Sequence, residues 1–226
     1  NSGEYKVMGL APYGSPKYSS LIKNHLIEIK EDGSFFLNME YFDYCTDLKM
    51  TNEKFDNLFG GKLRSPETYL SQKHMDIAAS IQNVTEEVVL NICKNISQNT
   101  NHKNLCIAGG VALNCVSNGK IIQNNLFENI WIQPAAGDAG GAIGAAYVAY
   151  YMSGNNIRHL SKDRDEMKGA YIGPKYEDEE IKNCLDECKA KYEKLTENEL
   201  IEVVAKLIAE GKAIGWMQGQ MEFGPR

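Results

Sequence analysis

The sequence has no apolar run approaching the ~20 residues that a membrane-spanning helix needs, so nothing in its 226 residues reads as such a span. No basic segment followed by an apolar one opens it, so no secretory signal is read there. It also lacks any Cys-x-x-Cys or His-x-x-x-His pair, any internal repeat and any low-complexity tract. Positive charge is in deficit: 24 Lys and Arg stand against 30 Asp and Glu, a net charge of −6. That balance weighs against nucleic acid as the main partner. Neither of its two glycine loops spells a Walker A sequence or Gly-x-Gly-x-x-Gly, which disfavours P-loop nucleotide hydrolases and Rossmann dehydrogenases.

What is present is ordinary for a soluble globular protein: 43% hydrophobic and 24% charged residues. The length suits one large domain or two small ones. The six cysteines are Cys45, Cys93, Cys106, Cys115, Cys184 and Cys188. They read as reduced thiols, which places the chain in the cytoplasm. Cys106 is expected in a buried strand, and Cys93 and Cys115 as small core residues of helices. Cys184 and Cys188 share a helix face, but no His or further Cys follows nearby to complete a metal site.

The chain is organised around residues 105–146. Residues 105–108 are a short apolar run that reads as a buried strand. Gly109-Gly110 ends it, with no Cβ to keep a phosphate or base away from the backbone. Ile130 and Ile132 flank Trp131 in a second expected buried strand, closed by Pro134. Gly137-Asp138-Ala139-Gly140-Gly141 forms the second loop, and an Ala- and Gly-rich helix is expected over about 142–152. Two glycine turns, each following a strand and opening a helix, predict one shared crevice at the carboxyl edge of an α/β sheet. Helix N-termini offer free N–H groups and the positive end of a dipole there, which suits phosphate. A glycine loop alone also serves plain turn geometry; two of them with a carboxylate between favour a nucleotide site.

Elsewhere the patterns are simpler. Residues 1–14 hold three glycines and a proline around Glu4 and Lys6, predicting an irregular loop whose carboxylate can hold a ribose hydroxyl and whose ammonium can meet a phosphate. Asp32-Gly33 between β-rich runs predicts a hairpin with a type I′ turn. Residues 41–62 read as loop with short helical pieces. Ser65-Pro66-Glu67 reads as a helix start, with apolar residues at helical spacing from there to Thr100 and a break near His74. An extended stretch is predicted over 169–174, and helices over 176–192, with acids first and lysines last, and 196–210. The second of these opens with a Thr196/Glu199 capping box and ends at Gly211. A strand is predicted at 213–217. The chain starts at Asn1 without an initiator Met and stops at Arg226 in mid-motif, and the expectation is an excised fragment of a longer protein.

Four segments carry a family resemblance: Gly-Glu-Tyr-Lys-Val-Met-Gly-Leu-Ala-Pro-Tyr-Gly at 3–14, Ala-Gly-Gly-Val-Ala-Leu-Asn-Cys at 108–115, Gln-Pro-Ala-Ala-Gly-Asp-Ala-Gly-Gly-Ala-Ile-Gly-Ala-Ala at 133–146, and Gly-Gln-Met-Glu-Phe-Gly-Pro-Arg at 219–226. In this order, and along the whole chain, they resemble the O-carbamoyltransferases of the nodulation and antibiotic-biosynthesis type (NodU/CmcH). The resemblance implies an α/β fold: residues 1–158 as the later half of an actin/Hsp70/sugar-kinase-like (ASKHA) domain, 159–170 as a linker, and 171–226 as the opening of a YrdC-like domain. It implies an ATP-dependent enzyme that makes carbamoyl-adenylate from carbamoyl phosphate and moves the carbamoyl group to a hydroxyl of a small, sugar-like acceptor. By the same resemblance Gly109, Gly110, Val111 and Asn114 contact the nucleotide, Asn114 offering a donor and an acceptor to the adenine edge. Gly137, Gly140 and Gly141 lie on the phosphate side, Glu4 and Lys6 near ribose or phosphate, and Arg226 faces carbamoyl phosphate. Asp138 matches an aspartate ligand to a divalent metal, of iron type, whose histidine ligands come from the earlier half of the domain. His25, His74, His102 and His159 are scattered and do not supply them. The alternatives are a relative of the tRNA threonylcarbamoyl-transferring proteins and a nucleotide-binding module without transfer chemistry. A homodimer is compatible with the sequence, which names no acceptor and no oligomeric state.

Overall fold

The longest element is α4, Gln72–Asn99, with 28 residues. Ile77, Ile81, Val84, Val88 and Ile92 recur at spacings of three and four and give it one apolar stripe. The helix does not begin at the predicted Ser65-Pro66-Glu67. Glu67 has a φ of 59°, which takes the chain out of right-handed helix. Ser71 is the cap instead, in a capping box whose return partner is His74: its Nδ1 accepts from the Ser71 N–H at 3.0 Å. A Glu or Gln usually fills that place, so the sequence cue was hidden.

The computed structural model describes residues 3–159, 165 and 167–224. They fall into two units, Asn1–Ala136 and Gly137–Arg226. In the first, the predicted irregular loop at the start is helix α1, Glu4–Leu10, running into a 3-10 turn at Ala11–Tyr13 whose second residue is Pro12. Helix α2, Ser19–His25, leads to strands β1, Ile27–Ile29, and β2, Phe35–Leu37, paired antiparallel with Ile27 opposite Leu37. The turn sits at Asp32-Gly33 as predicted, but among its residues only Gly33 has a positive φ, 83°. A type I′ turn needs two such residues, so this is a longer loop closed by one left-handed glycine. Helix α3, Glu53–Leu58, is capped by the Asn52 side chain. Ile22, Leu26, Phe59 and Val84 make the core where α2, the residue after α3 and α4 meet.

A polar seam fixes the segment after α1 to α4. A Cβ on Gly14 would lie 2.0 Å from the Met75 carbonyl oxygen, so only glycine permits the approach. Asp76, 3% exposed, accepts from the Lys17 ammonium at 2.7 Å, from Gln72 Nε2 at 2.9 Å and from the Ser15 N–H at 2.9 Å. Ser80 Oγ accepts from the Tyr18 N–H at 2.9 Å and donates to the Asp76 carbonyl at 2.6 Å. The Lys17 ammonium above all, then Gln72 and the Ser15 amide, hold the Asp76 carboxyl down at about 2.

Strand β3, Asn104–Ile107, helix α5, Cys115–Gln123, and strand β4, Asn129–Ile132, form a parallel β-α-β unit with Ile107 opposite Ile132. The two strands were predicted to be buried. Instead they alternate: Leu105 and Ile107 are half-buried, while Cys106 and Trp131 are exposed. A parallel sheet is normally covered on both faces, and this two-stranded pair is covered on one. Cys93 is buried as predicted; Cys106 and Cys115 are exposed, and all six thiols are free.

In the second unit, α6, Asp138–Tyr147, starts four residues before its predicted place and passes into a π-helical turn at Val148–Ser153. Helix α7, Asp178–Glu187, carries its acids in the first turn but no base in the last. Helix α8, Glu197–Ala209, has the predicted Thr196/Glu199 capping box, and Gly211 ends it with a φ of 78°. The predicted strand at 213–217 is irregular. Extended pairing appears elsewhere: Gly173 N–H donates to the Met221 carbonyl and Met221 N–H to the Pro174 carbonyl, both at 2.9 Å. The predicted linker at 159–170 lies inside this unit, and residues 160–164 and 166 of it lie outside the described residues. Among the described residues no helix is long and apolar enough to cross a membrane.

Two predictions follow from the polar seam. Gly14→Ala forces backbone apart and destabilises the fold by about 2 kcal/mol in chemical denaturation. Asp76 titrates below its ordinary value, so its contribution is present above about pH 4 and is lost as pH falls towards 2. The parent is therefore more stable than Asp76→Asn at neutral pH, and the gap closes over that window; a gap that stayed constant would contradict this.

Candidate functional site

The carboxyl edge of the β3–β4 pair is where the first glycine loop stands. Gly109 has φ 102° and ψ 164°, a conformation that L side chains rarely adopt. Its N–H donates to the Ala136 carbonyl at 2.8 Å, and the Gln133 N–H donates to the Ile107 carbonyl at 3.0 Å. These bonds tie the end of β3 to the segment that follows β4. Gly110–Leu113 then makes one 3-10 turn. The amides of Gly110 and Val111 have no acceptor among the described residues. A Cβ at Gly109 or Gly110 would meet nothing within 4 Å, and Val111 is 59% exposed. Packing therefore does not demand glycine at 110; the loop is simply open.

Asn114 has a structural role that the sequence reading did not anticipate. Its side chain caps α5, Oδ1 accepting from the Ser117 N–H at 3.1 Å. The same Oδ1 accepts from Gln82 Nε2 at 3.1 Å, and Nδ2 donates to Gln82 Oε1 at 2.9 Å. Oδ1 thus accepts two bonds inside the protein and Nδ2 donates one of its two N–H groups there. Gln82, Glu86, Asn118 and Lys120, which the sequence reading missed, complete this cluster. Gln82 Nε2 donates to Glu86 Oε1 at 2.8 Å, Lys120 pairs with the other Glu86 oxygen, and Asn118 Nδ2 donates to the Ala112 carbonyl at 2.7 Å. The available signal was two polar residues, Gln82 and Glu86, four apart beside the apolar stripe of α4.

Glu4 and Lys6 lie on α1 and both are exposed. The Lys6 ammonium stands 6.0 Å from the centroid of the Tyr5 ring. Lys6 and Val111 line one cavity of about 1360 Å³ with Ile81, Val88 and Ile107. Its walls are apolar side chains of α1, α2, the β1–β2 hairpin, α3, α4 and β3. It is larger than a typical small-molecule site and mostly apolar, with Lys6, Arg64 and His74 as its basic side chains.

The second loop belongs to the other unit. Gly137 is the N-cap of α6 and Asp138 its first residue; Gly140 and Gly141 follow in its first turn. Nothing lies within 4 Å of a Cβ built on Gly137 or Gly141. Asp138 is exposed, and its carboxylate makes no hydrogen bond or ion pair with the described residues. A negative charge there is favoured by the helix dipole. Arg226 lies outside the described residues. Among the described residues no group of three or more His, Cys, Asp or Glu is placed to hold a metal; Asp138 is a single carboxylate and makes no metal site with them.

Comparison with known proteins agrees with the segments that carry the resemblance. Residues 1–147 match the family profile described as Carbamoyltransferase N-terminus. The chain is 54% identical over 228 residues to an uncharacterized protein of Synechocystis, covering 100% of this chain and 37% of that protein. It is 34% identical to the nodulation protein NolNO of Sinorhizobium fredii, covering 99% of this chain and 31% of the relative. For the nodulation protein NolO of Bradyrhizobium diazoefficiens the identity is 32%, with 99% and 38% covered. The chain thus spans about a third of the length of the curated relatives it matches.

The two kinds of loop residue differ in a measurable way. Asn114→Ala removes a helix cap and strands Gln82, lowering stability by about 1–2 kcal/mol. Gly110→Ala meets no atom and changes stability by less than about 1 kcal/mol. Denaturant midpoints of the two variants check this; a large loss in Gly110→Ala would mean that packing does require glycine there.

Proposed function

The chain belongs to the carbamoyltransferase family, and on that footing we propose that the whole protein is an ATP-dependent O-carbamoyltransferase. It takes the carbamoyl group from carbamoyl phosphate, carries it as carbamoyl-adenylate, and places it on a hydroxyl of a sugar-like small molecule. The fold in this reading is an ASKHA lobe followed by the start of a YrdC-like domain. The parallel β-α-β unit with α4 alongside supports it. In the transfer step the acceptor oxygen bonds to the carbamoyl carbon, the bond from that carbon to the AMP phosphate oxygen breaks, and AMP leaves with the electron pair. The hydroxyl proton passes to a base or to water.

The observation that carries the reading is the loop at Gly109–Val111: two amides with no acceptor among the described residues, beside glycines with open space where a Cβ would stand. Such amides suit the phosphate of an adenylate. Asn114 serves it by holding the loop rather than by touching the base. Lys6, on the same cavity as Val111, supplies a cation, and Glu4 a carboxylate suited to a ribose hydroxyl. The loop Gly137–Gly141 supplies a second set of amides, and Arg226 meets carbamoyl phosphate. Asp138 gives one carboxylate to a divalent, iron-type metal whose other ligands lie outside this chain; when bound, that ion would act as a Lewis acid.

The test is an assay of the whole protein with ATP, carbamoyl phosphate and a panel of hydroxyl acceptors, following AMP release and carbamoylated product by mass spectrometry. Asp138→Ala should stop transfer to the acceptor while leaving carbamoyl-adenylate formation in place. Transfer at the parent rate would remove Asp138 from the chemistry.

A further inference from the structure

The cluster behind the first glycine loop has a direction. Glu86 is 5% exposed, and a buried carboxylate requires donors. Lys120 supplies one to Oε2 and Gln82 Nε2 the other, at 2.8 Å to Oε1. Glu86 can only accept, so the amide nitrogen of Gln82 has to face it. That choice turns Gln82 Oε1 towards Asn114, where it receives Nδ2 at 2.9 Å. Asn114 is then left with Oδ1 pointing at the Ser117 N–H, the orientation in which it caps α5. A relay of donors and acceptors therefore runs from the Lys120–Glu86 pair to the C-terminal end of the 3-10 turn. At the other end of the turn the Gly109 N–H is held by the Ala136 carbonyl, and Asn118 holds the Ala112 carbonyl in the middle.

We infer that Gln82 is a positioning residue: through Asn114 it sets the pose of the Gly109–Asn114 loop, and Glu86 and Lys120 fix the sense of its amide. The inference rests on the reading of that loop as the nucleotide cradle. Gln82 is 8% exposed and carries no charge, so it acts on the nucleotide only through the loop. Its loss loosens the loop before binding, and the nucleotide must order it. That weakens affinity and leaves the rate of the saturated enzyme alone.

The experiment is hydrogen–deuterium exchange on the whole protein, following peptides that cover 109–118 while ATP is titrated. In the parent, ATP should slow exchange there. In Gln82→Leu, exchange at 109–118 in the free protein should rise. The ATP concentration for half-protection should increase about tenfold, with kcat within twofold of the parent. Adding Gln82→Leu to Asn114→Ala should raise the midpoint no further, because the two act in one chain. Should Gln82→Leu not fold, Lys120→Met, at the exposed end of the relay, takes its place with a two- to fourfold rise. If ATP leaves 109–118 unprotected in the parent, the nucleotide reading fails and this inference with it. If ATP protects the parent and the Gln82 or Lys120 variant with one midpoint, the positioning role alone is overturned.

Discussion

The buried polar groups of α4 are what the first unit depends on. A helix of 28 residues with an apolar stripe would pack against any apolar neighbour, in several registers. Asp76 and Ser80 near its start, and Gln82 and Glu86 just beyond, remove that freedom. Each of the four is buried and bonded to a specific partner outside the helix or to a neighbour that is. A buried polar group without its partner is costly, so each pair admits one arrangement of the segments it joins. The 14–18 segment is held at one end of this seam and the glycine loop at the other.

The consequence for function is a division of labour in a short stretch of chain. Gly109 and Gly110 present backbone alone, and Val111 adds one exposed apolar side chain. Asn114, Asn118 and, through them, Gln82 and Glu86 hold that backbone in place. An open loop that binds by its amides has little stability of its own, and rigid support makes such a loop ready for a ligand. In the proposed reading the glycines serve by what they leave uncovered, and the polar residues by what they fix. The second loop, at the start of α6, shows the same openness, with an acid at its first helical position that has no partner among the described residues.

Much of this was legible in the sequence, and the failures have physical causes. The β-α-β unit, the hairpin, the long helix and the Thr196 capping box all follow from local patterns. The start of α4 did not, because His74 stands where a Glu or Gln marks a capping box, and Ser65-Pro66 imitated a better start. Helix α1 was hidden by Gly9, whose low helix propensity its packing on α4 overrides, and by Gly3, which stands at its N-cap. The strands were judged buried from apolar residues alone, although burial depends on a second covering layer that local pattern does not report. The family resemblance put Asn114 at the base; its cap bond to Ser117 is local, but its pairing with Gln82, 32 positions away, lies beyond any spacing rule.

The central claim is that the open amides of the Gly109–Val111 loop, held from behind by α4, receive an adenylate. A crystal structure of the whole protein soaked with an adenosine nucleotide tests it most directly. The account predicts a phosphate or sugar oxygen within hydrogen-bond distance of the Gly110 and Val111 amides, with the Gln82–Asn114 pair intact behind them. A nucleotide bound elsewhere, with those two amides still facing solvent, would contradict it.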